Sequence, residues 1–235
     1  MHPAFTITPL GDGALVISFG NVMEEEINEN VLQLFHCLQN TPLPFTDIVP
    51  AYSSLTFFYD VHSWRTKEAT AFEKVKEALL PFLQQTVQEK EKSGQTIAIP
   101  VCYARVFAPD LEELAAQKAL SAEEVIGLHT AKTYRVYMIG FLPGFPYMGK
   151  VDSRLATPRK SSPRTAIPAG SVGIAGEQTG IYPFTSPGGW NIIGRTPLRL
   201  FDKDRSEPTL LQPGDSVTFY PISEDAFENY QSRIA

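Results

Sequence analysis

Between Gly140 and Gly214 the chain crowds most of its 16 glycines and many of its 19 prolines. Proline removes a backbone donor and fixes its own torsion, so no long helix or long regular strand survives such spacing. The pattern instead predicts short strands of about five residues divided by tight turns, the mark of a barrel or sandwich. Segments 134–139, 171–175, 190–195, 198–201 and 216–220 are the candidates, with Pro213-Gly214-Asp215 as the turn feeding the last.

The upstream part has a different texture. Segments 4–8 and 14–19 predict a hairpin around Gly11-Asp12-Gly13. Ile27, Val31, Leu34, Phe35 and Leu38 recur at helical spacing across 24–39. Segment 47–59 suits two further strands, and Phe72, Val75, Leu79 and Leu83 mark a second helix facing the same sheet, which Pro81 kinks or ends. The run from Gln88 to Gly94 carries charge and no apolar side chain, which predicts two domains, 1–92 and 93–235. After it, 96–101 alternates as a strand. Two short helices follow, each expected to open on a capping box, Asp110 with Glu113 and Ser121 with Glu124. The fold class expected is α+β, with a small N-terminal α/β sandwich followed by a β-barrel.

At 43% apolar and 20% charged residues the chain has the material for a packed core. A formal charge of -6 disfavours nucleic acid as a partner. No apolar run approaches the roughly 20 residues a bilayer demands, and the start lacks a cationic, apolar leader. Cys37 and Cys102 follow no metal spacing and fit a reduced setting. No membrane partner and a cytoplasmic location are therefore expected.

Four segments hold residues suited to binding. Gly140-Phe-Leu-Pro-Gly-Phe-Pro-Tyr-Met-Gly149 predicts an irregular loop, with Phe141, Pro143, Phe145, Pro146 and Tyr147 either filling a core or lining a pocket or interface. Its Gly144, Gly149 and Lys150 have the spacing of a phosphate-cradling loop, but Val151 stands where a hydroxyl should ligate magnesium and Pro146 removes an amide. Arg159, Lys160 and Arg164 lie among prolines in 157–168, a basic patch in an acidic chain. Arginine's fork suits carboxylate or phosphate oxygens, while an ordinary solvated loop remains the alternative. In 170–180, Val172 and Ile174 alternate with Gly173 and Ala175, leaving a bare face that a ligand, a partner or another part of the barrel must approach. Ser186-Pro-Gly-Gly-Trp-Asn191 presents Trp190 as a pocket wall or a core ring.

Common catalytic signatures are missing: there is no Gly-x-Ser-x-Gly elbow, no His-Glu-x-x-His and no dinucleotide glycine motif. His2, His36, His62 and His129 are not spaced to share a metal, and no metal site is expected. Glu177 and Asp202 are lone acid–base candidates.

These segments, in order, resemble the family called kinase A inhibitor or allophanate hydrolase subunit 1, also known as carboxyltransferase subunit 1. The resemblance rests on Gly140 to Gly149, Thr157-Pro-Arg with Ser162-Pro-Arg164, Ile167-Pro-Ala-Gly-Ser-Val172, Gln178-Thr-Gly-Ile-Tyr-Pro183, and Ser186-Pro-Gly-Gly-Trp190 continuing through Ile193-Gly-Arg-Thr-Pro197. Leu10-Gly-Asp-Gly13 and Tyr52-Ser-Ser-Leu55 extend it more weakly to the N-terminus. Lys150 departs from the glycine of many members. The resemblance implies a cyclophilin-like β-barrel after the N-terminal domain. It also implies a component of an ATP-dependent 5-oxoprolinase complex, inactive alone, with ATP used at the level of the complex. A second carboxyltransferase-like subunit and a lactam-hydrolase subunit would be its partners. The family also suggests two alternatives, inhibition of a sporulation histidine kinase by binding, and membership of an allophanate or urea amidolyase complex. The residues expected to hold substrate or phosphate are Arg159, Arg164, Gln178, Thr179 and Arg195. Phe141, Pro143, Phe145, Pro146, Tyr147, Tyr182 and Trp190 are expected to form the pocket or interface.

Overall fold

The computed structural model describes residues 4–39, 41–84 and 94–234. Of the charged run that begins at Gln88, only Gly94 lies within them. The chain divides into two compact units, Met1–Lys92 and Ser93–Ala235.

The first unit contains β1 (Thr6–Pro9), β2 (Ala14–Ser18), α1 (Glu25–Gln39), β3 (Phe45–Pro50), β4 (Ser54–Tyr59), α2 (Val61–Trp64) and α3 (Ala71–Gln84). Its four strands form an antiparallel sheet in the order β1-β2-β4-β3. Alternation decides which face is covered: Leu15 and Ile17 pair across the ladder with Phe57 and Leu55, and all four are sealed from water. Val31, Leu34 and Leu38 of α1 and Val75, Leu79 and Leu83 of α3 pack on them as one cluster. Asn28 is buried in α1 because its amide donates to the carbonyls of Ala51 and Tyr52, tying the helix to the β3–β4 turn. Pro81 does not end α3, which runs on to Gln84. The short α2, capped by Asp60, was not expected.

The second unit begins with β5 (Thr96–Cys102), α4 (Leu111–Gln117), α5 (Ala122–Thr130), β6 (Thr133–Ile139), β7 (Pro146–Gly149) and β8 (Arg164–Ile167). It continues with β9 (Ser171–Ala175), β10 (Gln178–Ile181), β11 (Ser186–Gly188), β12 (Asn191–Arg195), β13 (Ser216–Ile222) and α6 (Glu224–Ile234). Seven strands close into a barrel in the order β10-β7-β6-β13-β5-β12-β9, which leaves no barrel edge unpaired. All pairs are antiparallel except β5 with β13. Strands β8 and β11 make a separate two-stranded ribbon.

Two apolar clusters lie on opposite sides of one stretch of barrel wall. Met148, Val172, Ile174, Ile181 and Ile193 face the interior, where Leu111, Leu114 and Val125 of the two short helices join them. Their sequence neighbours Tyr147, Ala175, Tyr182 and Ile192 face outward into a second cluster with Phe145, Ile167 and Trp190. The period of two in each strand places the two sets back to back.

Several local expectations need correction. Residues 140–149 are not wholly irregular, since four of them form β7 between β6 and β10. Segment 198–201 is not a strand. Leu200 enters the core while its carbonyl accepts from the Leu210 amide and Phe201 bridges to Thr209, so an excursion pairs with itself. The Ser121 and Glu124 capping box is present. Asp110 stands at the N-cap position of α4, but its carboxylate makes no cap bond, because other partners take it. Among the described residues no helix is long and apolar enough to cross a membrane.

Candidate functional site

On the outer cluster, Phe145 is the hub. It meets Trp190 and Tyr182 edge-on at centroid distances of 5.4 and 5.2 Å, Tyr147 at 4.8 Å, and Phe141 edge-on at 5.6 Å. The bare face of the wall explains how these rings reach it. Gly173 and Gly180 are cross-strand partners, and a Cβ on Gly180 would stand 3.0 Å from both Phe145 and Trp190. A Cβ on Gly173 would meet Trp190 at 3.1 Å. The chain's own aromatics therefore fill the space that the glycines leave. Trp190 is only 4% exposed, and Phe145, Pro146 and Tyr182 are buried with it. These four are core, whereas Tyr147 is half-buried and Pro143 and Phe141 are exposed. Phe141 is 62% exposed and sits at φ 67°, a left-handed conformation that bulky residues seldom adopt.

The basic loop runs beside this cluster, bonded at nearly every step. Thr157 exchanges backbone hydrogen bonds with Gly176, the Asn191 amide donates to the Pro158 carbonyl at 2.9 Å, and the Lys160 amide donates to the Gly189 carbonyl at 2.7 Å. Below lies Asp110, 1% exposed. Arg164 donates to it through both Nη1 and Nη2 at 2.8 and 2.6 Å, Lys160 Nζ at 2.9 Å, and the Ile192 amide at 2.7 Å. Burial by itself would raise the Asp110 carboxyl, but Arg164, Lys160 and the Ile192 amide together hold it below its ordinary value. Lys160 also reaches Glu113 at 2.9 Å.

The three arginines expected to act alike are thus in three situations. The fork of Arg164 is occupied by a carboxylate of its own chain. Arg195 donates Nε to the Ala169 carbonyl at 2.7 Å and lies 5.8 Å from the Phe227 ring centre, with burial disfavouring its charge. Arg159 is exposed and has no hydrogen-bond or ion-pair partner among the described residues. Its charge bears on Tyr147 and Tyr182, offsetting part of the upward push that burial gives their phenols, Tyr182 to about 12.

Thr179 lies elsewhere. It points into the barrel, where its hydroxyl donates to the Gly173 carbonyl at 3.1 Å and stands 3.0 Å from His129 Nε2. With the hydroxyl proton so used, His129 must donate from Nε2 and accept at Nδ1 from Tyr103, 2.9 Å away. Thr179 therefore has no hydroxyl to offer an outer ligand. Gln178, its neighbour, faces outward and is half-buried. Glu177 is exposed, and Asp202 pairs with Arg199 at 3.2 Å.

Asp110 and His129 were missed as organising residues. One carried only the local signal of a helix cap, the other only that of a histidine near a helix end. His129 is wholly buried and neutral, its pKa pushed down to about 3, and the Cys102 thiol is buried and pushed up. Neither is placed to attack or deprotonate a bound molecule. A cleft of about 480 Å³ at the ends of β5 and β13, lined by Cys102, Tyr103, Glu224 and Asp225 among others, contains none of the residues singled out from the sequence as a binding site. Among the described residues no group of acidic, His and Cys side chains is arranged to hold a metal. The outer face instead offers an arginine without a partner among the described residues, the half-buried Tyr147 and the exposed Phe141 ring, groups suited to an anion with an apolar part.

Comparison with known proteins bears on what such a face serves. Residues 5–211 match the model of the carboxyltransferase domain, subdomain C and D. The chain is 47% identical over 240 residues to a 5-oxoprolinase subunit of Bacillus subtilis (strain 168), covering 98% of each. It is 38% identical over 215 residues to the 5-oxoprolinase subunit of the same designation in Escherichia coli O157:H7, covering 92% of this chain and 95% of the other. The crystal structure of the Kluyveromyces lactis urea carboxylase superposes with a TM-score of 0.76 at 18% identity, over 97% of this chain and 22% of that one, a likeness of fold.

Proposed function

Since the chain belongs to the carboxyltransferase domain, subdomain C and D family, we propose that it is the first of two carboxyltransferase-like subunits in an ATP-dependent 5-oxoprolinase complex that opens 5-oxoproline to glutamate. The observation that carries this reading is the 47% identity to a 5-oxoprolinase subunit along essentially the whole of both chains. A second carboxyltransferase-like subunit and a lactam-hydrolase subunit are its partners, in the cytoplasm, and the chain turns over nothing alone.

Within that complex the outer face around Arg159 is the part of this chain that meets the anionic ligand. The lactam carries a carboxylate, and phosphoryl oxygens accompany ATP use; arginine serves either through two parallel donors. Among the described residues nothing takes the donors of Arg159, whereas Arg164 has spent both of its terminal nitrogens on Asp110. Tyr147 and Phe141, both packed on Phe145, are the rings of this face that remain open to a ligand's apolar part. Residues 144–150 do not fit a phosphate cradle, because they run into β7 and the segment beyond is a single short turn, Ser153–Leu155, rather than a helix. Nucleotide is placed at the level of the assembled complex.

The test is release of glutamate from 5-oxoproline and ATP by the partner subunits, with this chain present and then omitted. Turnover that requires the chain supports the reading. Full turnover without it overturns the reading, and a stable complex that turns over a different amide moves the substrate elsewhere within the family.

A further inference from the structure

We propose that Asp110 is the positioning residue of this face: by anchoring the loop from below, it sets the place of the Arg159 guanidinium beside Tyr147 and Tyr182. The inference rests on the reading of Arg159 given above.

Its first support is saturation. A carboxylate has about four good acceptor positions. Asp110 fills them with two bonds from Arg164, one from Lys160 and one from the Ile192 amide, while its own amide donates to the Ile192 carbonyl at 3.0 Å. Nothing is left with which to take a proton or bind a ligand. What remains for it is to hold other groups still.

The second support is what those groups are. Lys160 is the residue next to Arg159, and Arg164 is where the loop enters β8. On the other side of Arg159, the Pro158 carbonyl is held by Asn191. The backbone is pinned immediately before and after Arg159 by the Asn191 amide and the Gly189 carbonyl, and Asp110 ties down the Lys160 and Arg164 side chains of the same loop, while the Arg159 side chain has no partner among the described residues. A cation presented on pinned backbone gives up little further entropy when it engages an anion, which is the benefit of preorganisation. Asp110 reaches this loop from 50 residues away, at the entry to α4, so the barrel wall rather than the loop itself dictates where Arg159 stands.

The experiment is a double-mutant cycle on the assembled complex, reading KM for 5-oxoproline and kcat separately in wild type, Arg159→Ala, Asp110→Asn and the combined variant. Arg159→Ala is expected to raise KM about ten-fold or more, the loss of one charge-assisted contact. Asp110→Asn is expected to raise KM severalfold with kcat nearly unchanged. It should do so only while Arg159 is present, so that the combined variant matches Arg159→Ala alone. The proposal is overturned if Asp110→Asn leaves KM unchanged, or raises it by the same factor in the Arg159→Ala background, while Arg159→Ala keeps its effect. If Arg159→Ala leaves KM unchanged, the carboxylate reading and this inference fall together. Should Asp110→Asn not assemble, Arg164→Lys takes its place under the same criteria, because it removes the two-bond fork and leaves Lys160 and the Ile192 amide on Asp110.

Discussion

His129 in the barrel interior and Asp110 beneath the outer wall are both shut away from water, and the protein deals with them in opposite ways. His129 gives up its charge. It stacks on Phe219 with ring centres 4.5 Å apart and meets one partner at each ring nitrogen, Tyr103 and Thr179, a neutral imidazole satisfied by neutral neighbours. Asp110 keeps its charge and surrounds it with two cations and an amide. The difference follows from what each group costs to bury. An imidazole is already mostly neutral near pH 7, so burial merely completes the loss of its proton. A carboxylate beside two cations is held ionised, and an ionised group in the interior is tolerable only when its acceptors are filled. The neutral node knits one core to itself, whereas the charged node organises the loop that carries Arg159.

The contrast breaks most sharply at Asp110. Asp110→Ala leaves Arg164 and Lys160 half-buried without their shared carboxylate and orphans the Ile192 amide, with an expected loss of about 3–5 kcal/mol. A urea unfolding midpoint close to wild type would show that the node contributes little to stability.

Acid titration separates the two nodes next. The His129 pKa of about 3 lies below the ordinary 6.5, so between those values the unfolded chain binds a proton that the folded chain refuses. Stability is therefore complete above about pH 6.5 and falls with acid, by up to about 1.4 kcal/mol per pH unit, levelling near the folded value. Asp110, held below its ordinary value, contributes stability that is present above about pH 4 and is lost only as pH falls further through its folded value. Thermal melting between pH 7 and pH 5 reads His129 alone of the pair, and His129→Gln should flatten that dependence. An unchanged slope in the variant would place the acid sensitivity elsewhere.

The smallest effect is expected at the solvent edge of the charged node. Glu113 is exposed, and its bond to Lys160 duplicates what Asp110 supplies, so Glu113→Ala should cost less than about 0.5 kcal/mol by the same unfolding measurement. A larger loss would mean that the node extends to the surface.

Legibility followed the strength of the local pattern. In the first unit, Leu15 with Ile17 and Leu55 with Phe57 alternate cleanly, and Val31, Leu34 and Leu38 repeat at helical spacing, so the strands, the two long helices and the shared core could be read directly, while the four-residue α2 could not. In the barrel, β5, β6, β9, β12 and β13 were legible for the same reason. Strands β7, β8, β10 and β11 were not, since each is only three or four residues long, too short for an alternation to count, and prolines or glycines interrupt β7, β10 and β11. They are strands because their neighbours pair with them. Helix α6 escaped because its sequence, EDAFENYQSRI, has few apolar side chains from which to read a face. At the site, the aromatic segments and the basic loop were all visible as candidates. Trp190 and Tyr182 could not be assigned to core or pocket until Gly173 and Gly180 were seen beneath the rings.

Periodicity and backbone restriction are local properties, so the amino-acid order alone dictates which side chains must leave water, where the chain must turn, and which short segments bring aromatic and basic residues together. Which of the two loop arginines has no partner among the described residues could be learned only from the folded chain. Arg159 and Arg164 are alike as residues five positions apart, and what separates them is a buried carboxylate 54 residues before Arg164, brought against the loop by closure of the barrel. Hydrogen bonds between distant residues leave no trace in local spacing, so the difference between Arg164, held by Asp110, and Arg159, without a partner among the described residues, was settled by packing.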